Sequence, residues 1–216
     1  ESRYFINSSK WEQLSKNHSE DYMLSWRSLT SATNTRTCVA TVLPFIPASQ
    51  SVQFLTTKKE DLFYLNGLFN SVVFDYILKK KINGIDLTQK LIKQVPVPNQ
   101  KRINENIELD NTNSPIKDHI SLLVSMLYRN DITLINLVGK HLKDQSKLST
   151  LSRFQLIRYI DLLFIYLYRL NDTEIKLVLY AFQKQYSESD LDWFLKQNLN
   201  LLNNSKKILT TPILST

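Results

Sequence analysis

The side chains with chemistry to offer in this chain are hydroxyls, amides and cations. No aspartate or glutamate occurs from Tyr22 to Lys59, and inside that span WRSLTSATNTRTCVATVLP, Trp26 to Pro44, gathers Ser28, Thr30, Ser31, Thr33, Asn34, Thr35 and Arg36 into one polar segment behind Arg27. Hydroxyls and amides hydrogen-bond phosphate oxygens and base edges, and a guanidinium can take guanine O6 and N7 bidentately, whereas a carboxylate would repel a phosphate track. Lys79, Lys80 and Lys81 add a cation triplet further on. The set reads as a polar loop facing DNA, with sequence-independent phosphate contacts beside it. Two alternatives stand next to that reading. Arg27 and Arg36 either read bases or brace the fold through backbone carbonyls or Asp75, and the triplet either neutralises phosphates or complements a helix C-terminus. Asn70 and Ser71 are expected to pack a helix against a sheet, and base readers could also lie in ASQSVQ or the first strands.

Other chemistries lack their residues. The three glycines, Gly67, Gly84 and Gly139, are isolated, so there is no phosphate-binding loop. No nucleophile elbow, triad candidate or carboxylate cluster with metal spacing is present. Glu60 and Asp61 sit where a first helical turn welcomes acids. His18, His119 and His141 are widely spaced, which disfavours a metal site and places each on a surface or helix flank. The single cysteine, Cys38, excludes an intrachain disulfide, suits a reducing compartment and falls in a strand pattern, hence in the core. No signal peptide is visible, and LIRYIDLLFIYLYRL, interrupted by Arg158 and Asp161, is too short to span a bilayer. A cytoplasmic protein with no membrane partner is expected. A net charge of +7 favours an acidic partner.

These residues need elements to hold them. A chain of 216 residues with 43% hydrophobic content can bury a sizeable core. RYFI, YMLSW, RTCVATVLPF and SVQFLTT read as strands. Thr57 with Glu60 predicts a capping box, and Leu62, Leu65, Phe69, Val72 and Tyr76 recur at helical spacing, so one helix is expected from about 58 to 81. A shorter helix is expected in DLTQKLIKQ before VPVP. Residues 99–113 turn to Asn, Lys, Glu and Asp and read as a linker. Beyond it, Ser114 with Pro115 predicts a helix start, and Ser152 with Gln155, Asn171 with Glu174 and Ser187 with Asp190 predict capping boxes. Leu156 to Leu170 is apolar almost all round and should be central. The expectation is an α+β fold: a mixed-sheet domain over 1–98, a linker over 99–113 and an all-helical domain over 114–216.

Three stretches resemble a known family. WRSLTSATNTRTCVATVLPF and LNGLFNSVVFDYILKKKINGIDLTQKLIKQVPVP are similar to the target-recognition region of adenine-specific DNA methyltransferases of the type IIG and TaqI-like restriction-modification group. The matching positions are Trp26-Arg27, Asn34 to Thr37, Pro44, Leu65 to Tyr76, Gly84 and Gln94 to Pro98. RFQLIRYIDLLFIYLYRLNDTEIKLVLYAF resembles the helical tail of the same enzymes through Arg153, Asp161, Leu167, Tyr168, Leu170, Glu174 and Phe182. Thr35 departs from a usual acidic residue, and Arg169 and Leu170 stand where glycine is common before the acidic-start helix. Neither an Asn-Pro-Pro-aromatic motif nor a glycine-containing cofactor motif occurs. The resemblance therefore implies the C-terminal specificity portion of a longer enzyme that binds double-stranded DNA. S-adenosylmethionine and the methyl transfer would belong to an N-terminal methyltransferase core outside this chain. Alternatives are a free-standing specificity subunit, a protein-interaction module using DLLFIYLYRL, and a single-strand or RNA binder using its aromatics. Arg27 and Arg36 belong to a pattern shared by enzymes of different specificity, which puts bracing level with base readout.

Overall fold

The computed structural model describes residues 6–139, 147–203 and 206–208. Helix α1, Ser8–Ser15, is opened by the Asn7 side chain accepting from the Ser9 amide; residues 3–5 of the expected first strand lie outside the described residues. Strand β1, Tyr22–Arg27, is the centre of an antiparallel sheet ordered β2-β1-β3, with β2 at Ala40–Pro44 and β3 at Val52–Leu55. Strand β2 starts later than its alternating pattern predicts. The Asp75 carboxylate takes the Thr37 amide at 3.0 and 3.1 Å and the Cys38 amide at 2.8 Å, so these residues have no need of a strand neighbour. The outer edge of β2 is closed by side chains. Asn70 accepts from the Ala40 amide at 3.1 Å and donates to the Ala40 carbonyl at 2.9 Å, while the Tyr128 hydroxyl accepts from the Val42 amide at 3.2 Å. Covering an edge in this way blocks pairing with a foreign strand.

The single helix expected over 58–81 is two helices, α2 at Lys59–Asn70 and α3 at Val72–Lys81. They part at Ser71, whose ψ of 147° is extended and whose side chain accepts from the Phe74 amide. The expected Thr57–Glu60 box does not form: the N-cap is Lys58, without a side-chain cap. Short helices α4, Gln89–Ile92, and α5, Gln100–Ile103, follow, the first capped by Thr88.

The linker expected over 99–113 is instead folded. Besides α5 it holds strand β4, Asn106–Leu109, which pairs with β5, Thr112–Pro115, across the two-residue turn Asp110–Asn111. Both turn residues have positive φ, 51° and 63°, the conformation that matches the strand twist in a tight hairpin. Ile103, Ile107 and Leu109 are buried, and the composition misled because only these few side chains need anchor the segment. Strand β6, Lys207–Ile208, pairs parallel to β4.

Helix α6, Ile116–Leu127, begins one residue later than the Ser114 signal predicts. Pro115 takes the N-cap position, and the Ser114 hydroxyl lies 3.0 Å from Nε2 of His119. His119 is therefore buried, contrary to a surface position, with Nε2 also 3.0 Å from the Ile107 carbonyl. A short helix α7, Ile135–Val138, follows. Helices α8, Arg153–Leu167, α9, Asp172–Tyr180, and α10, Glu188–Leu202, carry all three expected capping boxes. Helix α8 is central, and its run from Arg158 to Leu167 is buried throughout, so DLLFIYLYRL is largely core. At its end Arg169 adopts a φ of 59°, with the Leu170 amide donating to the Ile165 carbonyl in a left-handed C-terminal turn.

Most of the buried apolar side chains form one cluster from Leu24 to Ile208. Helix α2 packs on α6 across the boundary expected near 99–113, and α6 packs in turn on α8. Gly67 permits this approach: a Cβ there would lie 2.9 Å from Cγ2 of Ile120 and 3.1 Å from Cγ2 of Val124. The chain is α+β with a helical C-terminal region, and among the described residues the core shows no break between a first and a second part. Among the described residues no helix is long and apolar enough to cross a membrane.

Candidate nucleic-acid interface

The polar loop leaves β1 at Arg27 and returns at Thr37. Arg27 is exposed, while Ser28 is half-buried with its hydroxyl donating to the Gln50 carbonyl at 3.3 Å. Thr30 faces inward: it is buried and its hydroxyl donates to the Thr37 carbonyl at 2.7 Å. Ser31 is half-buried and shares a 2.9 Å hydrogen bond with Thr33. Thr33, Asn34 and Thr35 are exposed, and the Asn34 amide donates to the Thr30 hydroxyl at 3.3 Å. The expected polar face thus shrinks to its tip.

Arg36 is held by the protein. Its Nε donates to Oε1 of Gln185 at 3.0 Å and Nη1 to the Asn70 carbonyl at 3.1 Å, while Nη2 lies 3.6 Å from the Asp161 carboxylate. The guanidinium also sits 4.9 Å from the centre of the Phe182 ring. This is the bracing alternative, with Asp161 rather than Asp75 as the carboxylate. Asp161 is fully buried. Oδ1 accepts from the Val72 amide at 2.9 Å, at the start of α3, and Oδ2 from the Tyr186 hydroxyl at 2.5 Å. Burial pushes the carboxyl of Asp161 above its usual range, against the pull of Arg36 and of the hydrogen bonds. Burial also raises Asp75, opposed by the Cys38 amide, Arg36 and the Thr37 amide. Arg36, Asn70, Ser71, Asp75 and Asp161 thus meet around the α2–α3 break.

The lysine triplet divides. Nζ of Lys79 donates to the Ala32 carbonyl at 3.2 Å and to the Asn34 carbonyl, and lies 5.4 Å from the Phe182 ring centre, so it ties α3 to the loop. Desolvation lowers its pKa, with Asp75 opposing. Lys80 is exposed, its Nζ 5.4 Å from the Tyr76 ring centre, and Lys81 is half-buried. Lys79 and Lys80 line one side of a groove of about 390 Å³, with Thr33, Asn34 and Thr35. The segment after α9 also contributes, through Phe182, Gln183 and Lys184. Lys184 is exposed, and no local pattern in AFQKQY marks it; only the fold brings it to the loop. Among the described residues no acidic side chain lines this groove. Its walls offer hydroxyl and amide groups at the loop tip, two accessible ammonium groups, and an aromatic floor.

Among the described residues no group of three or more His, Cys, Asp or Glu side chains could hold a metal ion. No protein-family model, curated protein or solved structure matches the chain.

Proposed function

We propose that this chain binds double-stranded DNA as the specificity portion of an N6-adenine DNA methyltransferase or fused restriction-modification enzyme. S-adenosylmethionine and catalysis would belong to a methyltransferase core outside the chain. The observation that carries the reading is the acid-free groove: Thr33, Asn34 and Thr35 line it together with the 182–184 segment, with Lys80 and Lys184 accessible. Phosphates would be neutralised by the ammonium groups, and the exposed amide and hydroxyls would hydrogen-bond phosphate or base edges. The family resemblance adds support, since residues that carry it converge on the network that holds the loop. Arg36 serves here as a brace, and Lys79 as the tie that presents the loop tip.

The test is fluorescence anisotropy of a labelled mixed-sequence duplex across a salt series. Replacing Lys80 and Lys184 together by alanine should make the log-log salt slope shallower by about 2, at roughly 0.9 for each phosphate no longer neutralised. Both side chains are exposed, so stability should stay near that of the unmodified chain. An unaltered slope in a folded double variant removes this groove as a DNA surface. If single-stranded competitor displaces the duplex readily, a single-strand reading replaces it.

A further inference from the structure

A second cavity, of about 640 Å³ and lined in part by Arg36, lies between β2, α2, α6 and α8. Its walls are mainly apolar, with Val39, Val124, Leu127, Phe154, Ile157 and Ile160. The polar groups are few and unequal in sign. Arg36 and Arg153 contribute two guanidinium groups, and Arg153 is exposed at the first position of α8. The one carboxylate among the described lining residues, Asp161, already has both oxygens engaged by Val72 and Tyr186. Asn66 also lines the cavity and is 4% exposed; its Oδ1 accepts from the Tyr128 hydroxyl at 3.3 Å, while Nδ2 has no partner among the described residues. Turning the amide over would leave the other end unpaired instead. A buried amide group without a partner costs stability, so a ligand that supplies one recovers it.

From this we infer that the cavity is a binding site for a small monoanion with an apolar body, of the aromatic monocarboxylate class. The volume falls in the range of small-molecule pockets, about 300–1,000 Å³. The apolar walls take the body, and the carboxylate oxygens accept from Nδ2 of Asn66, from Arg153 and from the remaining donors of Arg36, where one net positive charge is left after Asp161 is counted. Placing Arg153 at the positive end of the α8 dipole, with no acidic residue in that first turn, leaves the rim electropositive. The inference is independent of the DNA reading, because neither Arg153 nor Asn66 lines the basic groove.

Isothermal titration of the full chain with 1-naphthoate tests it, with 1-naphthalenemethanol as the uncharged comparator. Naphthoate should bind saturably at one site, about tenfold more tightly than the alcohol, the contribution of a charge-assisted contact. Arg153→Ala should erase most of that preference. Ile157→Trp, which fills the cavity, should abolish binding of both; Val39→Trp, from the exposed rim, is the second block if the first variant does not fold. Absence of saturable naphthoate binding overturns the site. Equal affinity for acid and alcohol overturns the anion, and unchanged binding in a folded blocking variant overturns the location.

Discussion

Replacing Arg36 by alanine separates a brace from a base reader. The change removes two hydrogen bonds from a charged donor, at 3.0 and 3.1 Å, a cation–π contact, and the cation that faces buried Asp161. Hydrogen bonds to charged groups contribute about 1.5–3 kcal/mol each, and stranding a buried charge costs about 3–5 kcal/mol. These overlap, because the same guanidinium makes every contact, and they cannot be summed. The Arg36 side chain is 20% exposed and its carboxylate contact is 3.6 Å, so solvent screening brings the ion-pair share down. A net loss of about 3 kcal/mol is expected, which for a chain of this size is a fall in Tm of roughly 6–12 °C. Acid should soften the loss. Asp161 already has a raised pKa, and losing Arg36 raises it further, so protonation relieves the stranded charge as pH falls. The assay is thermal and urea unfolding at several pH values, alongside anisotropy on random duplex and on a site selected from a random pool. Both duplexes should weaken together in proportion to the loss of folded loop. A Tm within about 2 °C of the unmodified chain, with binding lost only on the selected site, would refute the bracing argument.

Arg169→Gly should raise Tm by roughly 2–4 °C, because a non-glycine residue at a φ of 59° carries about 1–2 kcal/mol of steric cost, part of which glycine's greater unfolded freedom takes back. Gly67→Ala should destabilise by about 1 kcal/mol in urea unfolding, since about 1–3 kcal/mol of overpacking against Ile120 exceeds a helix-propensity gain of about 1 kcal/mol. His119 should make stability fall as pH drops below 6.5, because desolvation lowers its folded pKa and the unfolded chain then binds the proton more readily; His119→Gln should flatten that part of the profile. Asp75 and Asp161 act with the opposite sign, losing stability as pH rises through their raised values, so the comparison of the two proteins isolates the histidine. Cys38 is 1% exposed and burial pushes its thiol up, so a thiol reagent should label the chain only at the rate of global opening.

What could be read ahead of the structure was what depends on near neighbours. The capping boxes at Ser152, Asn171 and Ser187 form because an N-cap side chain and a residue three further on satisfy each other without help. The Thr57 box used the same pattern and failed: α2 starts one residue later, at a point with no side-chain cap. The split of the long helix at Ser71 could not be inferred from its periodicity, since Leu62, Phe69 and Val72 are buried on both sides of the break. The hairpin at Asp110–Asn111 had a signal, because Asp and Asn tolerate positive φ, but the surrounding polar residues hid it. At the candidate interface the loop residues were legible as a set. Which of them face solvent was not: Thr30 and Arg36 turn inward to partners that include Gln185 and Asp161, and Lys184 arrives from the far end of the chain.

The carboxylate of Asp161 also sets an order in time. It holds the first amide of α3, yet it stands 89 residues later in the chain. At roughly 5–20 residues per second of synthesis, the ribosome needs about 4–18 s more to make that residue after Val72 has been added. During that interval α3 has Ser71 as its local cap but lacks its second acceptor, and Arg36 has neither Asp161 nor Gln185 to hold it. The sheet of the first 55 residues can pair early, whereas the loop between its first two strands must wait for the tail. A nascent chain halted before residue 161 should therefore expose the 28–37 segment to protease, and one extended past Gln185 should protect it.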